Sequence, residues 1–304
     1  MKPEIAHHLW DLLWQDYSNR VTYARTYAQM IENAGGTVAN DHIAFRSLRM
    51  SVDSPQGRVN LGINYLEQLV QILGYEVAGE YSFPETYLYA RHYRHPQQEE
   101  FDLPKLFISE LIVDELPENT VQLIRQTVAG VNLLSFPAIF DTFSNNTERL
   151  VKELSRVFST LWQPPKRFVV ENVNKVTQYG AWVLLHGYAV NHFTAYVNRQ
   201  NTVAYPDIDT TVRALANLGV PMKEEMEGDA TCGLRQTATQ AVTEIVSVLN
   251  DSTDTEIQIP WTYAYYELAE RYLVEVEPGK QELFDAFLGK NAQQLFEMTK
   301  VVNG

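Results

Sequence analysis

The stretch "NDHIAFRSLRM", residues 40–50, decides how the chain is read. Its apolar residues, Ile43, Phe45 and Leu48, lie among polar ones, and the stretch is read as a strand. Side chains of a strand alternate between two faces. His42, Ala44 and Arg46 then share one face, while Ile43, Phe45 and Leu48 suit a core. The imidazole and the guanidinium stand about 13 Å apart along the chain, at ~3.3 Å per residue. Packing alone gives no reason to set those two groups on one face with only an alanine between.

The surrounding pattern gives this strand a place. Residues 4–34 read as two helices, with Leu9, Leu12, Leu13 and Tyr17 and then Tyr23, Tyr27, Met30 and Ile31 at helical spacing. Gly35 and Gly36 supply the stop. After the strand, "NYLEQLVQILGYEV" is a helix with Leu66, Leu69, Val70 and Leu73 on one side, ending at Gly74. "YEVAGEYSF", "TYLYARHYRH" and "KLFISELIV" follow as three strands. The order is strand, helix, strand, strand, strand.

That order returns. "HGYAVNHFTAYVN" is a strand, and "DIDTTVRALANLGVP" is a helix closed by Gly219 and Pro221. Strands are expected at about 222–227, 234–248 and 262–275. The expected fold is α+β, with two βαβββ-type modules making one cup-shaped mixed sheet. Within a single catalytic unit, 1–304, this gives N-terminal helices (1–36), a first module (37–115), a helical insert (116–180), a second module (181–278) and a C-terminal helix (279–304).

Composition narrows the function. Of 304 residues, 45% are hydrophobic and 20% charged, ordinary for a globular protein. The 24 basic and 38 acidic residues give a formal charge of −14. Such a surface repels phosphate backbones, which argues against nucleic acid as a general partner. A local arginine can still hold a small anion. Cys232 is the only cysteine, so the chain has no intrachain disulfide and no cysteine-based zinc site. Among small residues, "ATCGL", it reads as packed rather than nucleophilic. The N-terminus carries charges where a signal peptide would be apolar, and no run reaches the length of a membrane span. A cytoplasmic enzyme without membrane attachment is expected.

The second module opens with His192, which shares its face with Val190, Thr194 and Tyr196. In "TYAYYELAERYL", Tyr263, Tyr265, Glu267, Ala269 and Arg271 fall on one face. Glu267 interrupts an aromatic strand, where burying a bare carboxylate is costly. Two imidazoles and a carboxylate from three strands are the parts of a facial triad, which leaves positions open for non-haem Fe(II) oxygen chemistry. Each residue also has a plain reading. A strand histidine can be a hydrogen-bonded structural group, Glu267 can pair with Arg271, and Arg46 can sit in a surface ion pair. Glu110 competes for the ligand role, holding in the first module the place Glu267 holds in the second. His7 and His8 fall in a terminal helix and His92 and His95 at a strand end. His186, at a strand entry, is a candidate to support a ligand.

At these residues the sequence resembles a known family. "DHIAFR", "LPKLFISEL", "GYAVNHFT", "LRQTAT", "YYELAER" and a terminal "FLGKNAQQLFE" are similar to blocks of the 2-oxoadipate dioxygenase/decarboxylases. These are fold relatives of the vicinal oxygen chelate enzymes. The resemblance runs from about residue 5 to 303, in a chain compact beside the longer bacterial members. It implies Fe(II) held by His42, His192 and Glu267, and Arg46 on the far carboxylate of the substrate. It also implies conversion of 2-oxoadipate and O2 to 2-hydroxyglutarate and CO2 in lysine breakdown. The chemistry agrees: a 2-oxo acid chelates through carboxylate and keto oxygen, leaving one position for O2. A guanidinium grips a carboxylate in a bidentate way that lysine cannot match. Arg235, Gln236 and Thr237 of "GLRQTATQ" are candidates to orient the 2-oxo acid head, with Lys105 and Tyr265 as further lining.

Three other functions compete. One is another metal-dependent enzyme on the same cup: a glyoxalase-like lyase or isomerase, or a ring-cleaving dioxygenase. The others are a non-catalytic module holding a metal and a dicarboxylate, and an interaction scaffold. Zn, Ni, Mn or Co would suit the same ligands in purified protein, and the oligomeric state is open.

Overall fold

The computed structural model describes residues 2–55 and 57–288. The first half runs α1 (Lys2–Arg20), α2 (Thr22–Asn33), β1 (Asn40–Arg49), β2 (Ser51–Ser54), β3 (Gly57–Asn60), α3 (Ile63–Ile72), β4 (Glu76–Phe83), β5 (Leu88–Arg94), α4 (Gln98–Phe101) and β6 (Lys105–Ile112). Five helices follow: α5 (Glu118–Val128), α6 (Phe136–Phe143), α7 (Thr147–Ser155), α8 (Arg167–Val176) and α9 (Gln178–His186). The second half is β7 (Val190–Tyr196), α10 (Ile208–Asn217), β8 (Glu227–Asp229), β9 (Leu234–Ala238), β10 (Thr243–Leu249), β11 (Glu256–Thr262), β12 (Glu267–Arg271), β13 (Leu273–Glu277) and β14 (Lys280–Leu283).

Eight strands form one mixed sheet in the order β4-β5-β6-β1-β7-β12-β9-β8. Its two halves mirror each other. β1 runs parallel to β6, and β7 runs parallel to β12. β1 and β7, each opening its module, pair antiparallel at the centre. The βαβββ reading therefore describes both halves.

The strand at 40–49 is central and buried on both faces, as a mid-sheet position demands. Phe45 packs against Trp10 and Phe158, with ring centroids 6.2 and 4.8 Å away, so this face carries helix α1 and the helical insert. Ile43 and Leu48 are fully buried. The other face carries His42, Ala44 and Arg46 into a cup.

Several boundaries differ from the sequence reading. The expected strand 234–248 is two strands. β9 stays in the main sheet, while β10 leaves it to pair with β11 as a separate hairpin. The expected strand 262–275 likewise breaks at residues 263–266, where the chain returns from that hairpin to the sheet. Tyr263 consequently leaves the face of Glu267 and stacks on Trp182 and under Arg20. Residues 280–283, expected as helix, form the strand β14 against β13. Residues 284–288 are not helical either, and the remainder of that expected helix, from residue 289 onward, lies outside the described residues. Among the described residues no helix is long and apolar enough to cross a membrane.

Candidate metal centre

Two β-bulges build the site. Opposite β7, the register passes from Asn40↔Ala195 to His42↔Thr194, so Asp41 is an extra residue on β1. It then passes from Ala44↔His192 to Phe45↔Val190, so Asn191 is an extra residue on β7. A bulge re-aims the side chains around it. Here each extra residue reaches the histidine that follows it. Asp41 Oδ1 lies 2.9 Å from His42 Nδ1, and Asn191 Oδ1 lies 3.1 Å from His192 Nδ1. With both Nδ1 atoms engaged as donors, the Nε2 lone pairs are left to face a cation.

Those Nε2 atoms stand 3.3 Å apart. Glu267 Oε1 lies 3.5 Å from His42 Nε2, and Oε2 lies 3.7 Å from His192 Nε2. Ligand atoms at about 2.1 Å from one ion in neighbouring positions are roughly 3 Å from each other, close to these separations. Thr194 Oγ1 lies 3.0 Å from His42 Nε2 and donates to Glu267 Oε1 at 3.3 Å. Glu267 is fully buried, and its Oε2 has no hydrogen-bond partner. Among the described residues, His42, His192 and Glu267 are the only group of three or more such side chains placed to hold an ion.

The electrostatics fit a cation as well. Burial pushes the Glu267 carboxyl well above the usual carboxylate range, and the charges of Glu227 and Asp41 add to the push. Burial holds His192 well below the usual imidazole range, helped by His42 and Arg46. Burial also lowers His42, against the opposing pull of Asp41. Both rings are thus neutral and ready to ligate near pH 7. Burial would raise Asp41, but Arg271 and Lys105 overcome it and hold that carboxyl well below its ordinary value.

All three donors line one narrow cavity of about 30 Å³. Ala44, Arg46, Phe107, Ser109, Gln236 and Tyr265 line it too, as do Phe287 and Leu288. Tyr265 stacks on His192 at 4.8 Å. Arg46 is buried, with its guanidinium carbon 4.8 Å from the Tyr179 ring centre and 5.1 Å from that of Trp182.

Other candidates fall elsewhere. Glu110 pairs with Ser47 in the β1–β6 register, one residue out of phase with Arg46↔Ser109, and so occupies the opposite face. Its Oε2 accepts from the Ile63 amide at 2.8 Å, at the start of α3, and its Oε1 accepts from Arg49. Glu267 stands beside Thr194, two residues beyond His192. The same step beyond His42 is Ala44, whose partner is Phe107. Phe107, not Glu110, holds the equivalent place. Glu110→Ala is therefore expected to cost about 1–2 kcal/mol of stability through a lost helix cap and ion pair, with metal affinity unchanged. Urea unfolding and a Zn(II) titration check this; a tenfold weaker affinity would restore Glu110 as a ligand.

Arg235 and Thr237 also face away, because only Gln236 shares the parity of Ala269 and Glu267. Arg235 pairs with Asp209 of α10 at 2.9 Å, and Thr237 donates to the Glu225 carbonyl at 3.0 Å. Gln236 lines the cavity and donates to Glu227 at 3.1 Å. Lys105 lies on the face of His42 but pairs with Asp285 at 2.7 Å. His186 ends α9 rather than opening a strand, because Gly187 follows at positive φ against Ser159, where any Cβ would clash. It contacts Glu244 and the Thr262 carbonyl, not a ligand. Arg271 pairs with Asp41 instead of Glu267. Cys232 sits half-buried in the β8–β9 turn. Asp41, Asn191 and Thr194 were missed as supporting residues. The repeated acid-or-amide before histidine, "DH" and "NH", was the trace of Asp41 and Asn191 in the sequence, and for Thr194 the trace was its place on the face of His192.

Two βαβββ modules sharing one curled sheet, with a histidine–histidine–glutamate group inside it, define a glyoxalase-like, vicinal oxygen chelate fold carrying a candidate metal site. The comparisons specify the family. A model of the 2-oxoadipate dioxygenase/decarboxylase family matches residues 6–303, and the chain belongs to that family. It is 25% identical over 302 residues to the chloroplastic 2-oxoadipate dioxygenase/decarboxylase of Arabidopsis thaliana, covering 93% of this chain and 74% of that protein. The hydroxyglutarate synthase of Oryza sativa, solved with 2-oxoadipate, superposes with a TM-score of 0.76 at 21% identity, covering 98% of this chain and 93% of that one. A glyoxalase superfamily protein from Ralstonia eutropha JMP134 gives 0.78 at 20% identity, covering 90% and 84%.

Proposed function

We propose that this chain is an Fe(II)-dependent enzyme that converts 2-oxoadipate, or a close 2-oxo dicarboxylate, and O2 to 2-hydroxyglutarate and CO2, a step in lysine breakdown. One observation carries the reading: two neutral imidazoles and a buried carboxylate with one unpartnered oxygen converge in a narrow cavity that also holds a buried arginine. His42, His192 and Glu267 would hold the ion. Fe(II) bound there would chelate the 2-oxo acid head and supply electrons to O2.

The chain's own residues do the remaining work. Asp41 and Asn191 fix the tautomer and aim of the two imidazoles. Thr194 holds one oxygen of Glu267 by its hydroxyl. Arg46, two strand positions past Ala44, would take the far carboxylate and so measure the substrate from ligand to far end. Ser109 and Gln236 offer polar groups along the way, while Phe107, Tyr265 and Phe287 exclude water from the reacting end. Family membership and the 2-oxoadipate bound to the rice protein support this substrate class.

Protein loaded anaerobically with Fe(II) is expected to consume O2 and release CO2 in equal amounts with 2-oxoadipate, and less with shorter or longer 2-oxo diacids. Under labelled O2 the 2-hydroxyglutarate should carry label. No uptake with any 2-oxo acid would reject the dioxygenase and favour a lyase, an isomerase or a non-catalytic module.

A further inference from the structure

The chain after β14 sets Phe287 and Leu288 against the cavity. The Phe287 ring packs edge-on against His42 with centroids 4.8 Å apart, and also against Phe107 at 4.9 Å and His92 at 5.1 Å. The space left, about 30 Å³, suits about two waters at 10–15 Å³ each. Phe287 and Leu288 narrow that space. Segment 284–288 thus forms a cover along one side of the cavity.

One side chain holds this cover and the metal ligand together. Arg271 is 2% exposed. Its Nε and Nη2 donate to the two oxygens of Asp41 at 2.5 and 2.8 Å. Its Nη1 donates to the carbonyls of Phe284 and Ala286, both at 2.9 Å. Asp41 is the acceptor for His42 Nδ1. A guanidinium is a rigid planar fork, so it cannot follow the cover outward without pulling on Asp41, and Asp41 sets the aim of His42.

We propose that Arg271 is a positioning residue that couples closure of segment 284–288 over the cavity to the orientation of the ligand His42. The coupling rests on the metal-centre reading above but needs neither the substrate nor O2. A cation on His42 Nε2 strengthens the Nδ1–H bond to Asp41, which fixes Arg271 and holds the cover shut. By reciprocity, lifting the cover weakens the hold on the ion. The metal-free protein therefore has the looser cover.

Hydrogen exchange tests this with Co(II) alone as the probe. The amides of Phe284, bonded to the Tyr272 carbonyl, and Phe287, bonded to Tyr81 Oη, report on the cover. Co(II) should slow their exchange about fivefold or more, the usual lower range of a coupling between sites. Arg271→Lys keeps the charge but loses the fork, and should bind Co(II) without slowing those amides. Asp41→Asn leaves the bonds from Arg271 to the cover in place and weakens the link to His42, so it should lose the slowing too. Equal exchange with and without Co(II) in the unaltered chain overturns the coupling, as does undiminished slowing in either variant. Failure to take up Co(II) at all overturns both the metal centre and the coupling. Coupling without oxygen uptake would leave this inference standing and remove only the substrate assignment.

Discussion

Glu267→Gln is expected to cut by roughly two-thirds the rise in melting temperature expected from Zn(II) or Co(II), while leaving the metal-free chain at least as stable as before. An ion that binds only the folded state stabilises it by about 4 kcal/mol at a thousand times its dissociation constant. Losing even an outer partner of a ligand costs 10–100-fold in affinity. Losing the only anionic member of the triad should cost about 100-fold or more, which removes roughly 2.7 kcal/mol of that gain. Without metal the balance reverses, because Glu267 is a buried carboxyl that resists ionisation.

The pH dependence follows in sign. The unfolded chain ionises this carboxyl near pH 4.3, whereas the metal-free folded chain keeps its proton to higher pH. Its contribution to stability is full below about pH 4.3 and is lost as pH rises toward the folded value. A cation displaces that proton, so the metal-induced shift grows as pH rises above the ordinary carboxylate range. In Glu267→Gln both slopes should flatten. Thermal melts with Co(II) and with a chelator at three pH values measure this, and an undiminished metal shift in the variant would remove Glu267 from the ligand set.

Arg46→Met should weaken 2-oxoadipate binding to metal-loaded protein by about 2–3 kcal/mol, the worth of a charged hydrogen-bonded contact, or roughly 30–150-fold. Burial works against the charge of this guanidinium, with Tyr265 and Tyr179 pulling the other way. A carboxylate arriving beside it would offset that burial. Arg46→Lys should recover little, since an ammonium lacks the fork and stacks poorly on Tyr179 and Trp182. Metal affinity should stay the same in both variants. Anaerobic calorimetry with 2-oxoadipate reads the effect, and unchanged affinity in Arg46→Met would make Arg46 a structural cation.

The strand at 40–49 was legible because Ile43 and Phe45 fall on one face and His42 and Arg46 on the other, at a period of two. Helix α3 and the strands after it were legible for the same reason of period. Glu110 was misplaced because a repeated order of elements does not give the register. The β1–β6 pairing puts Phe107 where an analogy between modules puts Glu110. Arg235 and Thr237 were misplaced because three consecutive polar residues in a strand cannot share a face. The β10–β11 hairpin was hidden by continuous strand propensity across residues 234–248. The triad's supporting residues were hidden by bulges, which depend on the partner strand.

By itself the sequence determined the types of element, their doubled order, and the histidines, glutamate and arginine available for chemistry. Period and residue type are local properties, and neighbouring residues carry them. Only the tertiary structure decided that β1 and β7 pair at the centre, that Asp41 and Asn191 bulge toward the imidazoles, and that Arg271 bonds both Asp41 and the carbonyls of Phe284 and Ala286. Those arrangements join strands far apart in the chain. Their geometry is fixed by which backbone groups pair across the sheet, and no single segment contains that information.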